Sequence, residues 1–145
     1  MKIKQRILLL CTGNSCRSQM TEGILQSMDH DIEVLSAGTR PEKQVNPKAI
    51  KVIKEIGIDI SAHSPKIVDQ FTGVDFDYVI TVCNNAKESC PVFTGNVKHR
   101  LHIGFEDPAS VAGEEEQVLN VYRKIRDQIL VAFKDVYKQM KNEYE

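Results

Sequence analysis

The sequence has 145 residues, of which 41% are hydrophobic and 27% are charged, and its net charge is −1. This balance is typical of one folded domain and argues against a disordered chain, nucleic-acid binding and attraction to anionic membranes. No apolar run approaches the roughly 20 residues of a membrane span, and the stretch at residues 7–11 is too short for a signal peptide. We therefore expect a single domain over residues 1–145, cytoplasmic and monomeric.

The predicted elements alternate between strands and helices. In chain order they are a strand at 6–10, a helix at about 18–28, a strand at 32–36, a helix at about 47–56, a short helix that begins near 64–65, strands at 77–82 and 97–101, and a long final helix. Asn46-Pro47 is typical of an N-cap followed by proline at the first helical position. The final helix has an apolar stripe with a spacing of three or four residues, made of Val118, Tyr122, Ile125, Ile129, Ala132, Val136 and Met140.

This alternation predicts the fold. Strands that alternate with helices form a parallel sheet with helices on both faces, and right-handed crossovers leave few topologies. We predict an α/β fold with an open, four-stranded parallel sheet in the order 2-1-3-4.

The polar turn after the first strand, Cys11-Thr-Gly-Asn-Ser-Cys-Arg-Ser18, has the composition of an oxyanion cradle. A helix N-terminus offers unpaired N–H groups and partial positive charge, which suit one tetrahedral anion. Gly13 permits close approach of the backbone, Asn14 tolerates a left-handed conformation, and Arg17 can bind two oxygens at once. We expect the oxyanion to be bound by Thr12, Gly13, Asn14, Ser15, Cys16 and Arg17.

Cys11 begins this turn, and the field that binds an anion also favours its thiolate. Ser18 can donate a hydrogen bond to the sulfur. These residues predict a thiolate nucleophile that attacks phosphorus or a centre of similar shape. The alternative is a buried structural cysteine beside an ordinary polar turn. Cys16 is interpreted as a packing residue.

The chain resembles the low-molecular-weight tyrosine phosphatase superfamily and, within it, the thioredoxin-coupled arsenate reductases. The resemblance covers nearly the whole chain. Its motifs are C-T-G-N-S-C-R-S-Q-M from Cys11, S-A-G from Ser36, V-N-P-K-A-I from Val45, G-I-D-I-S-x-H from Gly57 and D-P-A from Asp107. It implies reduction of arsenate to arsenite for arsenic detoxification, no bound cofactor, and reduced thioredoxin as the electron donor. Phosphate or sulfate would mimic the substrate.

The resemblance also implies a relay of three thiols, in which Cys11 is the nucleophile, Cys83 the first resolving thiol and Cys90 the last. Cys11 and Cys83 follow strands that are adjacent in the predicted order, about 4.8 Å apart, so both thiols lie at one edge of the sheet. If residues 83–90 were helical, the Cα atoms of Cys83 and Cys90 would be about 10.5 Å apart. A disulfide needs less than about 7 Å, so its formation would unwind that segment and push the disulfide outward.

Asp107 is the general acid that the resemblance implies, although an aspartate before proline is most often a turn residue. Two departures from the phosphatase pattern argue against a phosphotyrosine phosphatase. Ala109-Ser110-Val111 offers no aromatic wall for a phenolic substrate, and Gln19 replaces the proline that usually follows Arg-Ser in that branch.

Several family members bind potassium behind the loop, with residues that match Asn14, Glu22, Ser36 and an acidic side chain. Here Lys66 occupies the acidic position. We expect its ammonium to take the place of the cation and to pair with Glu22, so that potassium has no specific effect. No metal is expected.

Two alternatives stay open. The first is a low-molecular-weight protein tyrosine phosphatase, in which Cys83 and Cys90 are incidental; weak phosphatase activity is expected in either case. The second is a non-enzymatic thiol redox or zinc-binding protein, although these cysteine spacings depart from the short pairs of zinc sites.

Overall fold

The computed structural model describes residues 5–84 and 92–144. Its centre is a four-stranded parallel sheet with the strand order β2-β1-β3-β4, which confirms the predicted topology. The strands are β1 (Arg6–Cys11), β2 (Glu33–Gly38), β3 (Phe76–Thr81) and β4 (Val97–His102).

Three α-helices follow the predicted positions closely: α1 (Arg17–Met28), α2 (Pro47–Lys54) and α3 (Glu115–Tyr144). The predicted N-cap of α2 is confirmed, because Asn46 Oδ1 accepts a hydrogen bond of 2.9 Å from the Lys48 N–H. Two short 3-10 helices span Val68–Phe71 and Pro108–Ser110.

The predicted short helix is present as a 3-10 turn, but it begins at Val68 rather than near residues 64–65. The backbone before it is used elsewhere. Ser64 O accepts from Gln19 Nε2, the Lys66 N–H donates to Asn14 Oδ1, and Lys66 O accepts from the Gly38 N–H. Backbone groups that bind neighbouring elements in this way cannot also close a helical turn.

The larger part of the core lies between one face of the sheet and all three α-helices. It contains Ile7 and Leu9 of β1, and the predicted stripe of α3 packs against it from Val118 to Met140. Leu8 and Leu10 point to the opposite face, as alternation along a strand requires. There they pack with Phe76 and Phe93, and the 3-10 helix Val68–Phe71 contributes to the cover. No helix among the described residues has the length and apolar character to cross a membrane.

The register of the central strands brings two cysteine positions to one edge. Leu10 of β1 pairs with Thr81 of β3, and the Val82 N–H donates to Leu10 O at 3.0 Å. Cys11 and Cys83 therefore lie at the carboxyl ends of adjacent parallel strands. In open α/β sheets this edge is where ligands bind.

Candidate active site

A cavity of about 340 Å³ opens at the carboxyl edge of the sheet, between β1 and α1. Its wall is the predicted oxyanion turn together with residues from two other segments: Cys11, Thr12, Gly13, Asn14, Ser15, Cys16, Arg17, Arg40, Glu42, Asp107 and Ala109. Asn14 has a φ of 52°, the left-handed conformation that the sequence predicted for it. The structure thus brings together the whole predicted cradle and Asp107.

The carbonyl oxygens of the turn are bonded to a neighbouring segment, residues 40–46. Three backbone hydrogen bonds, each of 2.9 Å, run from the N–H groups of Arg40, Glu42 and Asn46 to the carbonyl oxygens of Thr12, Gly13 and Ser15. These carbonyl oxygens would repel an anion if they pointed into the cavity. Their engagement elsewhere leaves the cavity to N–H groups and side-chain donors.

Gly38, the last residue of β2, makes room for the turn. A Cβ atom at this position would lie 2.3 Å from Thr12 O and 3.1 Å from Asn14 N. Both contacts are with backbone, which cannot rotate away as a side chain can. Glycine is therefore required where the oxyanion turn crosses the end of β2.

Cys11 belongs to the wall of the cavity, and the residue is 3% exposed. Its Sγ is 2.9 Å from Ser18 Oγ and accepts a hydrogen bond of 3.2 Å from the Asn14 N–H. The sulfur therefore has two polar partners, of which the Asn14 N–H is a donor. The residue is free rather than disulfide-bonded.

Behind the sulfur lies a chain of buried polar side chains. Asn14 Nδ2 donates to Ser18 Oγ at 2.8 Å and to Ser36 Oγ at 2.9 Å. Ser36 Oγ in turn donates to Glu22 Oε1 at 2.6 Å. The geometry therefore links the anion turn, α1 and β2 through one set of hydrogen bonds.

Arg17 is 4% exposed and belongs to the cavity wall. One guanidinium nitrogen donates to Phe105 O at 3.1 Å, and another lies 3.7 Å from Asp107 Oδ2. The other carboxylate oxygen of Asp107 accepts from the Ala109 N–H and caps the 3-10 helix. Asp107 is therefore both the turn residue that its sequence context predicts and a carboxyl group at the cavity.

Cys16 is buried beside α3. Its sulfur lies 3.9 Å from the Tyr122 hydroxyl and 3.8 Å from Ser15 Oγ. Burial raises the pKa of the Cys16 thiol to about 11, so the thiol is neutral at physiological pH. This environment suits a packing residue rather than a nucleophile.

Cys83 is fully buried and forms a disulfide, whereas Cys11 and Cys16 are free thiols. The disulfide therefore joins Cys83 to neither of these two residues. Cys90 lies outside the described residues, and so does most of the segment between Cys83 and Cys90. The unwinding of residues 83–90 on disulfide formation therefore stays a prediction.

The expected ion pair between Lys66 and Glu22 is not formed in the described structure. The Lys66 ammonium donates to Ser64 O at 3.1 Å and is exposed, while the Glu22 carboxylate lies 3.3 Å from His63 Nδ1. The reason is geometric, because Lys66 faces Asn14 with its backbone N–H and directs its side chain outward. Within residues 5–84 and 92–144, no group of three or more His, Cys, Asp or Glu side chains is arranged to hold a metal ion.

Comparison with known proteins identifies the family of this chain. The family described as low molecular weight phosphotyrosine protein phosphatase matches residues 6–145. The chain belongs to this family.

Several proteins similar to this chain are arsenate reductases. The chain is 45% identical to the arsenate reductase of Halalkalibacterium halodurans over 127 residues, which cover 87% of this chain and 90% of that protein. It is 44% identical to the arsenate reductase of Bacillus subtilis over 124 residues, which cover 85% and 88%. A solved arsenate reductase in the phosphate-binding state superposes with a TM-score of 0.78 at 29% identity and covers 93% of this chain and 98% of that one.

Two parts of this candidate site were not predicted from the sequence. Residues 40–44 carry no motif that predicts hydrogen bonds to the anion turn, and Asn46 was predicted only as an N-cap, although Gly38 beside them indicates a close approach. Gln19 was noted only as a replacement for proline, yet it is fully buried and contacts the turn. The signal that could have revealed it is a long polar side chain on the inner face of α1.

Proposed function

We propose that this protein reduces arsenate to arsenite with the Cys11 thiolate and passes the resulting disulfide through Cys83 and Cys90 to thioredoxin. One observation carries the proposal. Cys11 lines a cavity of about 340 Å³ together with the oxyanion turn, its sulfur contacts Ser18 Oγ and the Asn14 N–H, and Cys83 follows the adjacent strand. The 45%-identical arsenate reductase supports the choice of substrate.

The first step forms a bond between Cys11 Sγ and arsenic. The thiolate attacks the arsenic(V) centre, and one arsenate oxygen leaves as water after it is protonated. Asp107 stands at the cavity beside Arg17 and is the group placed to donate a proton. The guanidinium of Arg17 and the N–H groups of the turn neutralise the charge on the remaining oxygens.

The second step transfers two electrons to arsenic. The Cys83 thiolate attacks Cys11 Sγ, the S–As bond breaks, and its electron pair stays with arsenic, which leaves as arsenite(III). A disulfide between Cys11 and Cys83 remains. Phosphorus(V) in the same cradle is not reduced in this way under cellular conditions.

The third step regenerates the nucleophile. Cys90 attacks Cys83, so that the disulfide joins these two residues and Cys11 leaves as a thiolate. The dithiol of thioredoxin supplies the two electrons that reduce the last disulfide. The structure, with Cys83 oxidised and Cys11 a free thiol, is compatible with the state that follows this exchange.

The decisive experiment measures arsenate-dependent NADPH oxidation with thioredoxin and thioredoxin reductase. We expect turnover by the wild type and by Ser27→Ala, a control on the far end of α1, but none by Cys11→Ser, Cys83→Ser or Cys90→Ser. Turnover by Cys83→Ser or Cys90→Ser at the wild-type rate would contradict the relay.

Hydrolysis of phosphate esters is a second candidate, since the family match is to phosphatases. Cys11, Arg17 and Asp107 suffice for it, and Cys83 and Cys90 are not required. We expect weak activity on a small aryl phosphate that survives Cys83→Ser and is lost in Cys11→Ser. If the wild type hydrolyses the ester but ignores arsenate, the phosphatase function replaces the reductase.

A further inference from the structure

Gln19 lies on the inner face of α1 and is fully buried. Its Nε2 is 3.2 Å from Asn14 O, 3.2 Å from Asn14 Oδ1 and 3.1 Å from Ser64 O, all of which are acceptors. Its Oε1 lies 3.1 Å from His63 Nδ1. The two backbone carbonyl oxygens, Asn14 O and Ser64 O, fix the orientation of the Gln19 amide, because a reversed amide would place oxygen against oxygen.

Gln19 and the backbone N–H of Lys66 together set the orientation of the Asn14 amide. Asn14 Oδ1 accepts from Gln19 Nε2 at 3.2 Å and from the Lys66 N–H at 2.8 Å. A reversed Asn14 amide would place its NH₂ group against these two donors. The amide nitrogen of Asn14 therefore faces Ser18 and Ser36.

The orientation of Asn14 determines where the Ser18 hydroxyl hydrogen points. Ser18 Oγ is fully buried, and its two partners in the described structure are Asn14 Nδ2 and Cys11 Sγ. Because Asn14 donates to Ser18, the hydroxyl hydrogen has Cys11 Sγ as its acceptor. Reversal of the Asn14 amide would offer Ser18 a carbonyl oxygen instead, and the sulfur would lose a donor.

We propose that Gln19 is a positioning residue: its amide sets the direction of the hydrogen bonds through Asn14 and Ser18, so that Ser18 donates to the Cys11 thiolate. Gln19 touches neither the sulfur nor the cavity and acts through Asn14. The proposal rests on the function proposed for Cys11 and adds a residue that determines how reactive this thiolate is.

The first test compares Gln19→Met, which keeps the size but removes the polarity of the side chain, with Thr21→Val. Thr21 is a matched control, since its buried hydroxyl donates to Arg17 O within the same helix and contacts no part of this chain of hydrogen bonds.

The readout is the rate of Cys11 alkylation by iodoacetamide at pH 6 in the reduced full-length protein, followed at each cysteine by peptide mass spectrometry. We expect Gln19→Met to react about tenfold more slowly, the loss that corresponds to one hydrogen bond to a charged group, and Thr21→Val to match the wild type. A folded Gln19→Met protein that reacts at the wild-type rate would overturn the proposal.

The second test, Gln19→Glu, decides the matter even if Gln19→Met does not fold. An ionised carboxylate at this position would face Asn14 O, Asn14 Oδ1 and Ser64 O, whereas the protonated acid restores a donor to that side. The dissociation constant for inorganic phosphate, measured by calorimetry in variant and wild type, should therefore differ severalfold at pH 8 and converge towards pH 5. The neighbouring groups Cys11, Glu22, His63 and Lys66 are common to both proteins, so the ratio of the two dissociation constants isolates the new carboxyl.

If the ratio of the phosphate dissociation constants of Gln19→Glu and wild type stays constant with pH, Gln19 only fills space and the proposal fails. Neither readout needs arsenate or an electron donor. If alkylation and phosphate binding respond as expected while arsenate turnover is absent in the wild type, the proposed function fails and the role of Gln19 stands.

Discussion

Two hydrogen-bonded clusters cross-link distant segments of this molecule, and they differ in burial and charge. Behind the anion turn, Asn14, Ser18, Gln19 and Ser36 are all fully buried. On the surface between α2 and α3, Glu55 accepts hydrogen bonds of 2.8 to 3.3 Å from Arg123 and Arg126, and each of these side chains is partly exposed.

The difference lies in what each cluster controls. Every buried side-chain nitrogen and oxygen in the described structure has a partner, and removal of a partner from such a group costs about 1–3 kcal/mol. Exposed ion pairs contribute about 0–1 kcal/mol. The buried cluster acts directly on the Cys11 sulfur, whereas the surface cluster only helps to dock two helices. Four substitutions, in decreasing order of expected effect, test this contrast.

Ser18→Ala should have the largest effect, because it removes a donor from Cys11 and a partner from Asn14. We expect turnover to fall roughly 10- to 100-fold, which corresponds to one hydrogen bond to a charged group. Ser27→Ala removes a serine hydroxyl from the same helix, where it donates to Ile24 O, and should leave turnover unchanged. Equal rates for the two variants would show that the buried cluster does not act on the sulfur.

Gly38→Ala should displace the anion turn, since its Cβ would lie 2.3 Å from Thr12 O. Overpacking of this kind costs about 1–3 kcal/mol, and we also expect weaker phosphate binding. Gly73→Ala is the control, as a Cβ there meets nothing within 4 Å. Chemical denaturation and phosphate titration measure the two effects. The role of Gly38 would be refuted by an alanine variant as stable as Gly73→Ala.

Ionisation of the buried Cys16 thiol should lower the stability of the protein at alkaline pH. Burial raises its pKa from 9.0 to about 11, so the folded state holds this proton more tightly than the unfolded state does. The resulting stabilisation, up to about 2–3 kcal/mol, is complete below pH 9 and is lost as the pH rises to 11. Burial also raises the pKa of Tyr122, which acts in the same direction. Cys16→Ala should therefore flatten the decline in denaturation free energy between pH 9 and 11, and an unchanged slope would refute this assignment.

Glu55→Gln should have the smallest effect. Hydrogen bonds from Arg123, supported by Arg126, lower the pKa of Glu55 from 4.5 to about 2. Its contribution is therefore present above about pH 4.5 and is lost as the pH falls towards 2. Thermal unfolding at pH 7 and pH 3 should show a smaller pH difference in Glu55→Gln than in the wild type, and this difference should shrink at high salt. Loss of phosphate binding in this variant would contradict the separation of the two clusters.

Much of the fold follows from local patterns in the sequence. The apolar strands, the N-cap at Asn46 and the stripe of α3 each depend on neighbouring residues, and each is confirmed. The start of the short helix was predicted too early, because the backbone at residues 64–66 bonds to Gln19, Asn14 and Gly38, which are distant in sequence. A local pattern does not report such contacts.

The candidate site divides in the same way. The cradle from Cys11 to Ser18 could be predicted because a strand, a turn and a helix N-terminus are consecutive in the chain. The arrangement around Glu22 could not, since Lys66 and His63 are both close in sequence and only the direction of the backbone decides which side chain faces the carboxylate. The proposed role of Gln19 depends likewise on which way two amides point.

The bonds between residues 40–46 and the anion turn have a consequence for protein engineering. Three carbonyl oxygens of the turn are satisfied by the 40–46 backbone, which is distant in sequence. A synthetic receptor that carried only the turn and its helix would leave these oxygens free to rotate towards the guest anion. Transplantation of this recognition element into another scaffold therefore requires two chain segments, and a circular permutant opened within residues 40–46 should be a poor receptor even if it folds.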